Sequence, residues 1–267
     1  MADWRTYDTV APTYQELWEP LTGDGARDLV ALADPKPGER LLDVGTGAGV
    51  LLPFARDAVA SEGIAAGVDT SFPMVEAARK ARPDVLVAAA EAIDLPFRNA
   101  TFDVVTANFV LHHFGDDRTA LFDMLRVLRP NGRMAVSVWG PGSDEYHKTW
   151  QELVESVVGS ELMADAAAKT APGRERFSDR KQLEDALYQA GLRHLRIEPR
   201  EYRRHASRED LVRHLELAGL GRFVRSMLGD AEWEEFGAHV RAVFAERFAD
   251  PLTDFNDAIL ALGSKSG

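Results

Sequence analysis

Short apolar runs alternate along this chain with longer stretches in which apolar residues recur at helical spacing. The runs at 39–44, 64–69, 85–89, 102–108 and 133–139 predict strands. Between them, Pro73–Ala81 and Thr119–Leu128 carry helical spacing, with Leu121, Met124, Leu125 and Leu128 on one face. Pro130-Asn131-Gly132 stops the second helix and turns the chain into the next strand. Strand and helix in alternation predict a parallel sheet with helices on both faces. Past Trp139, residues 144–159 and 178–190 read as helices, 192–199 as a strand, 207–249 as about three helices, and 258–264 as a final strand. The breaks in 207–249 fall near Gly219-Leu220-Gly221 and Gly229-Asp230.

The stretch that bears most on function is LLDVGTGAG at 41–49. A strand ending at Asp43 runs into a turn where Gly45, Gly47 and Gly49 permit unusual dihedrals and close backbone approach to a ligand. A helix starting near Val50 would point its amide-rich end at that ligand. A dinucleotide turn spaces its glycines as GxGxxG and carries an apolar residue where Asp43 stands, and a phosphate loop continues with Gly-Lys-Ser/Thr. Neither pattern is present. An acid inside the turn suits a ligand with a cationic centre, such as S-adenosylmethionine (SAM), and repels a pyrophosphate. The competing reading is a structural turn between strand and helix.

The run IAAGVD ends on Asp69, 20 residues past Gly49. A carboxylate at the tip of the second strand at that separation accepts bonds from a ribose hydroxyl pair. Alternatively, Asp69 caps the helix starting at Pro73; Ser71 can take that task and leave Asp69 free.

The segments LLDVGTGAG, GVDTSFPMVEAAR (67–79), AEAIDLPFRNATFDVV (90–105) and LRVLRPNGRMAVSVWG (125–140) resemble the successive motifs of class I SAM-dependent methyltransferases, in order and in spacing. The subgroup most resembled holds the ubiquinone/menaquinone-biosynthesis-like and small-molecule enzymes. The resemblance covers roughly residues 35–140 and is looser beyond. It implies an α/β, Rossmann-like fold with a mostly parallel seven-stranded sheet, whose last two strands form an antiparallel hairpin, and an inserted helical cap. It also implies SAM as cofactor and S-adenosylhomocysteine (SAH) as product. On the matching positions, the cofactor would meet Asp43, Gly45, Thr46, Gly47 and Gly49, then Asp69, Thr70 and Met74, then Glu91, Ala92 and Ile93, and Asn108 at the end of the fourth strand. Glu91 stands where the family commonly has an Asp that contacts the adenine amino group; Glu is longer and chemically equivalent. The N-terminal stretch holds Trp4, Tyr7, Tyr14 and Trp18. The family folds a helix with a Tyr near this place over SAM, and an aromatic face attracts a sulfonium, so Tyr14 is read as a cofactor contact and Trp18 as core.

The expected layout is one domain over 1–267: N-terminal cap helices (1–34), the SAM-binding core (35–140), a helical connection and partial cap (141–190), a strand (191–206), a helical lid (207–252) and a final strand (253–267). A rigid helical layer without substrate contact is the alternative for the lid. At 45% hydrophobic the chain can bury a substantial core. No apolar segment is long enough to span a bilayer, MADWRTYDTV lacks a signal pattern, and there is no cysteine, which together predict a cytoplasmic protein without disulfides or thiolate metal sites. A net charge of −12 disfavours nucleic acid, and the basic stretch at 193–209 is interrupted by three glutamates.

Methyl transfer asks the protein to align the acceptor and, for O or N acceptors, to help remove a proton. Candidates for that base are His112 and His113 in NFVLHHFGDD, where the family places residues facing the methyl. Adjacent imidazoles at a cleft edge can titrate near neutrality, with His112 ranked first; packing or capping roles compete. Asp116-Asp117 are read as helix caps, and no metal site is expected. Trp139, Tyr146 and His147 are candidate walls of a substrate pocket, as is Trp150, with core packing as the alternative. The expected function is methyl transfer from SAM to O, N or C of a small metabolite. A SAM-binding protein without methyl transfer is the second reading, and a dinucleotide oxidoreductase is disfavoured by the glycine spacing.

Overall fold

The computed structural model describes residues 7–8, 10–142 and 144–267. Trp4 lies outside the described residues. Seven strands form one sheet: β1 (Arg40–Val44), β2 (Ile64–Asp69), β3 (Leu86–Ala89), β4 (Phe102–Asn108), β5 (Leu128–Trp139), β6 (Leu192–Ala206) and β7 (Leu252–Lys265), in the order β3-β2-β1-β4-β5-β7-β6. The first five run parallel, and β7 is antiparallel to both β5 and β6. The helices are α1 (Ala11–Ala33), α2 (Leu52–Val59), α3 (Phe72–Ala81), α4 (Asp117–Val127), α5 (Glu145–Val158), α6 (Ser160–Thr170), α7 (Arg174–Ser178), α8 (Arg180–Ala190), α9 (Arg208–Leu217), α10 (Gly219–Met227) and α11 (Asp230–Arg247). A single 3-10 turn covers Leu111–His113.

The first four strands lie where their apolar runs place them. β5 begins earlier than expected: Leu128 already pairs with Phe102, and the ladder breaks at Asn131, whose φ is 62°, before resuming at Arg133. α2 begins at Leu52 rather than near Val50. The Gly49 amide is spent on the Thr46 carbonyl (2.9 Å) and the Leu52 amide on the Gly49 carbonyl (3.2 Å), so the glycine turn is closed before the helix starts. The N-terminal region is one 23-residue helix among the described residues, not several.

The order of the sheet positions the site. From β1 the chain winds outward through β2 and β3, then returns to place β4 on the other side of β1. A crevice therefore opens beyond the carboxyl ends of β1 and β4, where ligands bind in open α/β sheets. Asp43 sits at this switch point, in register with Gly67 of β2 and Thr106 of β4. One face of the sheet is covered by α1 and α2 through Leu29, Val30, Leu52 and Ala55. The other face is covered by α4, α7 and α8 through Leu121, Met124, Phe177, Leu183 and Leu187.

β6 and β7 pair from Leu192↔Lys265 out to Ala206↔Leu252, so α9–α11 are inserted at the far end of a long hairpin. With α5 and α6 these helices form a cap with its own core, in which Trp150, Val154, Leu211, Phe223, Val240 and Phe244 are buried. No helix among the described residues is long and apolar enough to cross a membrane.

Candidate active site

The three glycines of the turn all adopt positive φ: 71° at Gly45, 54° at Gly47 and 85° at Gly49. Their surroundings differ. A Cβ on Gly45 would lie 2.4 Å from Val110, and one on Gly47 would meet only the Tyr14 ring, at 3.7 Å. Gly49 faces Ala78 of α3 and Leu52, so it serves helix packing and lines neither cavity described below. Tyr14 thus roofs the turn.

Asp69 is not a free carboxylate. Its Oδ2 accepts the Gly47 amide at 2.8 Å and its Oδ1 accepts the Ser71 amide at 2.9 Å. The carboxylate therefore ties the glycine turn to the start of α3. Ser71 does cap α3, its Oγ accepting from the Met74 amide at 3.3 Å while donating to Asp8 at 2.6 Å, but this does not release Asp69. Each carboxylate oxygen has a second lone pair, which remains for a ligand hydroxyl.

Two cavities meet above this turn. The first, of about 600 Å³, is lined by Gly45, Gly47, Asp69, Thr70 and Met74, then by Glu91, Ala92 and Ile93 beyond β3. The second, of about 700 Å³, lies beneath the cap and reaches Asp43, Thr46, Trp139 and His147. Tyr7, Tyr14, Asn108, Phe109, His113 and Thr170 line both. Both volumes fall within the roughly 300–1,000 Å³ usual for small-molecule sites. Tyr146 lines neither: its ring packs edge-on against Phe248, 4.5 Å between centroids, and Trp150 is buried in the cap core.

Residues 42–136 match the family described as methyltransferase domain. Nocamycin O-methyltransferase of Saccharothrix syringae is 32% identical over 199 residues, which is 70% of this chain and 70% of that protein. The chain belongs to the class I SAM-dependent methyltransferases. Demethylmenaquinone methyltransferase of Corynebacterium kroppenstedtii is 35% identical over 137 residues, 49% of this chain, and the match spans 57% of that protein's length. Among solved structures, phosphoethanolamine N-methyltransferase 2 of Haemonchus contortus superposes with a TM-score of 0.60 at 17% identity, covering 100% of this chain and 61% of that one, a likeness of fold.

SAM is the cofactor of this methyltransferase family, and the smaller cavity fits it. Its floor is a glycine turn without side chains, its roof is Tyr14, and carboxylates at Asp69 and Glu91 line it. Asp43, 1% exposed at the end of β1, accepts from the Thr106 hydroxyl at 2.8 Å. Burial pushes its carboxyl up to about 7, the Thr106 bond pulls it down, and the charge of Asp69 adds to the rise. A cation in the adjoining cavity would favour its ionised form.

The two histidines have different surroundings. Burial holds both imidazoles below their ordinary value, His112 well below it, which favours the neutral form of each. His113 Nδ1 lies 2.8 Å from the Thr170 carbonyl, which only accepts, so Nδ1 carries the proton. Nε2 then holds the lone pair and accepts from the Tyr7 hydroxyl at 3.3 Å. His112 lines only the larger cavity, and its Nδ1 has no hydrogen-bond partner among the described residues.

Several residues that shape the site carried no local signal. Phe109 takes a φ of 52°, pinned by the Ser137 carbonyl and hydroxyl on its amide, both at 3.0 Å, and its ring stacks on Trp139 at 3.9 Å. Thr170 and Arg174 reach the site from the connection between α6 and α7, and His214 from α9 lies against Trp18 at 4.6 Å. An aromatic-rich N-terminus was the only hint of Tyr7.

Because folding lifts the Asp43 carboxyl above its ordinary value, the folded chain holds this proton more tightly than the unfolded chain. The resulting stability is full below a pH of about 4, is lost as pH rises to about 7, and does not change further above that. In urea denaturation of the ligand-free protein, wild type is expected to lose more stability than Asp43→Asn between about pH 4 and about pH 8. Equal losses would contradict the assignment.

Proposed function

We propose that this methyltransferase transfers the methyl group of SAM to a small, largely apolar acceptor bound beneath the cap, with His113 taking the acceptor's proton. The observation that carries this reading is the shared wall between the two cavities. Tyr7, Asn108, Phe109 and His113 border both, so a cofactor on the glycine turn and an acceptor under the cap would face one another there. Relatives named for nocamycin and for demethylmenaquinone support a small-molecule acceptor. Against the cofactor we place Tyr14, Gly45, Gly47, Asp69, Thr70, Met74, Glu91, Ala92, Ile93 and Asn108; Asp43 and Thr46 act from the turn's other side.

Bound SAM supplies a methyl group on a sulfonium whose sulfur leaves as a neutral thioether. The chain's own work is then to place the acceptor and handle its proton. The Thr170 carbonyl fixes the His113 ring and its tautomer, leaving Nε2 as the basic nitrogen. The Tyr7 hydroxyl donates to Nε2 and would turn aside as a proton arrives, while burial keeps the ring neutral, in the form able to accept it. Asp43 offers a carboxyl poised to ionise beside a cationic cofactor. Ala164, Ala167, Ala168 and Leu220 give the cap side of the larger cavity an apolar wall for the acceptor.

Turnover of SAM to SAH with a panel of small aromatic and polyketide-like hydroxyl compounds tests the reading, and binding of SAM with no turnover across the panel would favour a non-catalytic role. With an accepted substrate, His113→Gln is expected to lower kcat by about 10²- to 10⁴-fold, with SAH affinity changed by less than about threefold. His112→Ala should cost less than about tenfold. Since burial lowers the imidazole value, any rate limb from His113 should lie below the ordinary imidazole range. A rate limb centred near the ordinary imidazole value, or near-normal turnover in His113→Gln, would remove His113 from this role.

A further inference from the structure

Most arginines that pack against the body of this protein are matched by acids: Arg133 with Glu39 at 2.7 Å, Arg126 with Asp123 at 2.6 Å, Arg204 with Asp254 at 2.8 Å. Arg174 is not. It opens α7 and lines the larger cavity, and among the described residues its side chain donates from Nη2 to the Gly140 carbonyl at 3.2 Å. Burial lowers its proton affinity, and no ion pair joins it to a carboxylate among the described residues. Glu175 and Asp257 line the same cavity, yet neither pairs with it.

The position of Arg174 is fixed from both sides. The amide of Gly173 donates to the His112 carbonyl at 3.0 Å, and Phe177, one turn further on, is fully buried in the body's core. The start of α7 is therefore held beside the histidine turn, where Arg174 lines the larger cavity. His112 cannot oppose it, since burial and Arg174 itself keep that imidazole neutral. A guanidinium withdrawn from water without an acid is costly, and its planar fork matches a pair of oxygens. Ala164, Ala167, Ala168, Leu220 and Trp139 give the same cavity apolar wall area.

We infer that Arg174 is an anion subsite for the methyl acceptor: the molecule taken up beneath the cap has an apolar body and an ionised oxygen, a carboxylate or the anion of an acidic enol or phenol, that pairs with this guanidinium. The inference rests on the reading of this cavity as the acceptor site. It names the class of acceptor that the sequence left open.

The test uses the full chain saturated with SAH and two probes of one shape, 2-naphthoate and 2-naphthamide, titrated by calorimetry at neutral pH. Wild type should bind the naphthoate at least about tenfold more tightly than the amide, the usual scale of a charge-assisted pair. Arg174→Gln should bring the two within about twofold, and Arg174→Lys, which keeps the charge, should restore most of the preference. SAH affinity should be unchanged in both variants. A wild type that does not prefer the naphthoate, or a preference that survives Arg174→Gln, overturns the anion subsite. Failure of wild type to bind SAH at all would instead sink the cofactor reading on which the subsite rests.

Discussion

The carboxylate of Asp69 joins the glycine turn, whose Gly45 and Thr46 amides already donate to the Val68 carbonyl, to the start of α3. By accepting the amides of Gly47 and Ser71 it holds the glycine turn against the first residues of α3. Hydrogen bonds to a charged acceptor are worth about 1.5–3 kcal/mol each, enough to set a turn whose three glycines sit in the left-handed region. That geometry sets the open floor at Gly47 beneath the ring of Tyr14, at the crevice that the strand order opens between β1 and β4. The carboxylate that shapes the turn also lines the smaller cavity, so on the proposed reading clamp and cofactor contact are one residue.

The second constraint is that the site is finished by segments with a separate core. The sheet and its flanking helices supply the turn, Asp43, Asn108 and the histidines. The cap and its connections supply Thr170, Arg174 and His214, and Arg222 of α10 stands 4.6 Å from the centre of the Tyr7 ring. Thr170 fixes the tautomer of His113 and Arg174 gives the larger cavity its cation, so the chemistry of the body depends on contacts made by the cap. Inserting the cap at the end of the β6–β7 hairpin lets it cover the larger cavity while the sheet keeps its register.

Much of this was legible in the sequence because it is local. Strands β1 to β4, the glycine turn, the Asp69 position and the caps at Ser71 and Asp116 are each set within a few residues, and the resemblance to the methyltransferases ordered them. What escaped was non-local. The Tyr7–His113 bond spans 106 residues, and no pattern around either residue announces it. The pairing of Asp69 with the Gly47 amide, the neutral state of His112 and the packing role of Gly49 depend on burial and approach in three dimensions. Arg174 sits in a stretch with no motif, and its meaning comes from the acid it lacks. Tyr146 read as a pocket wall because sequence distance from Trp139 is small, but the helix turns its ring toward Phe248.

The central claim is that Asp69 both builds the turn and binds the cofactor. Calorimetric titration of SAH into Asp69→Ala and Asp69→Asn, beside urea denaturation of the same ligand-free proteins, tests it most directly. The account requires SAH affinity to fall by about tenfold to a hundredfold or more in both variants, together with a loss of apo stability larger in Asp69→Ala than in Asp69→Asn, which can still accept one of the two amides. Wild-type SAH affinity in Asp69→Ala would contradict it, whatever happened to stability.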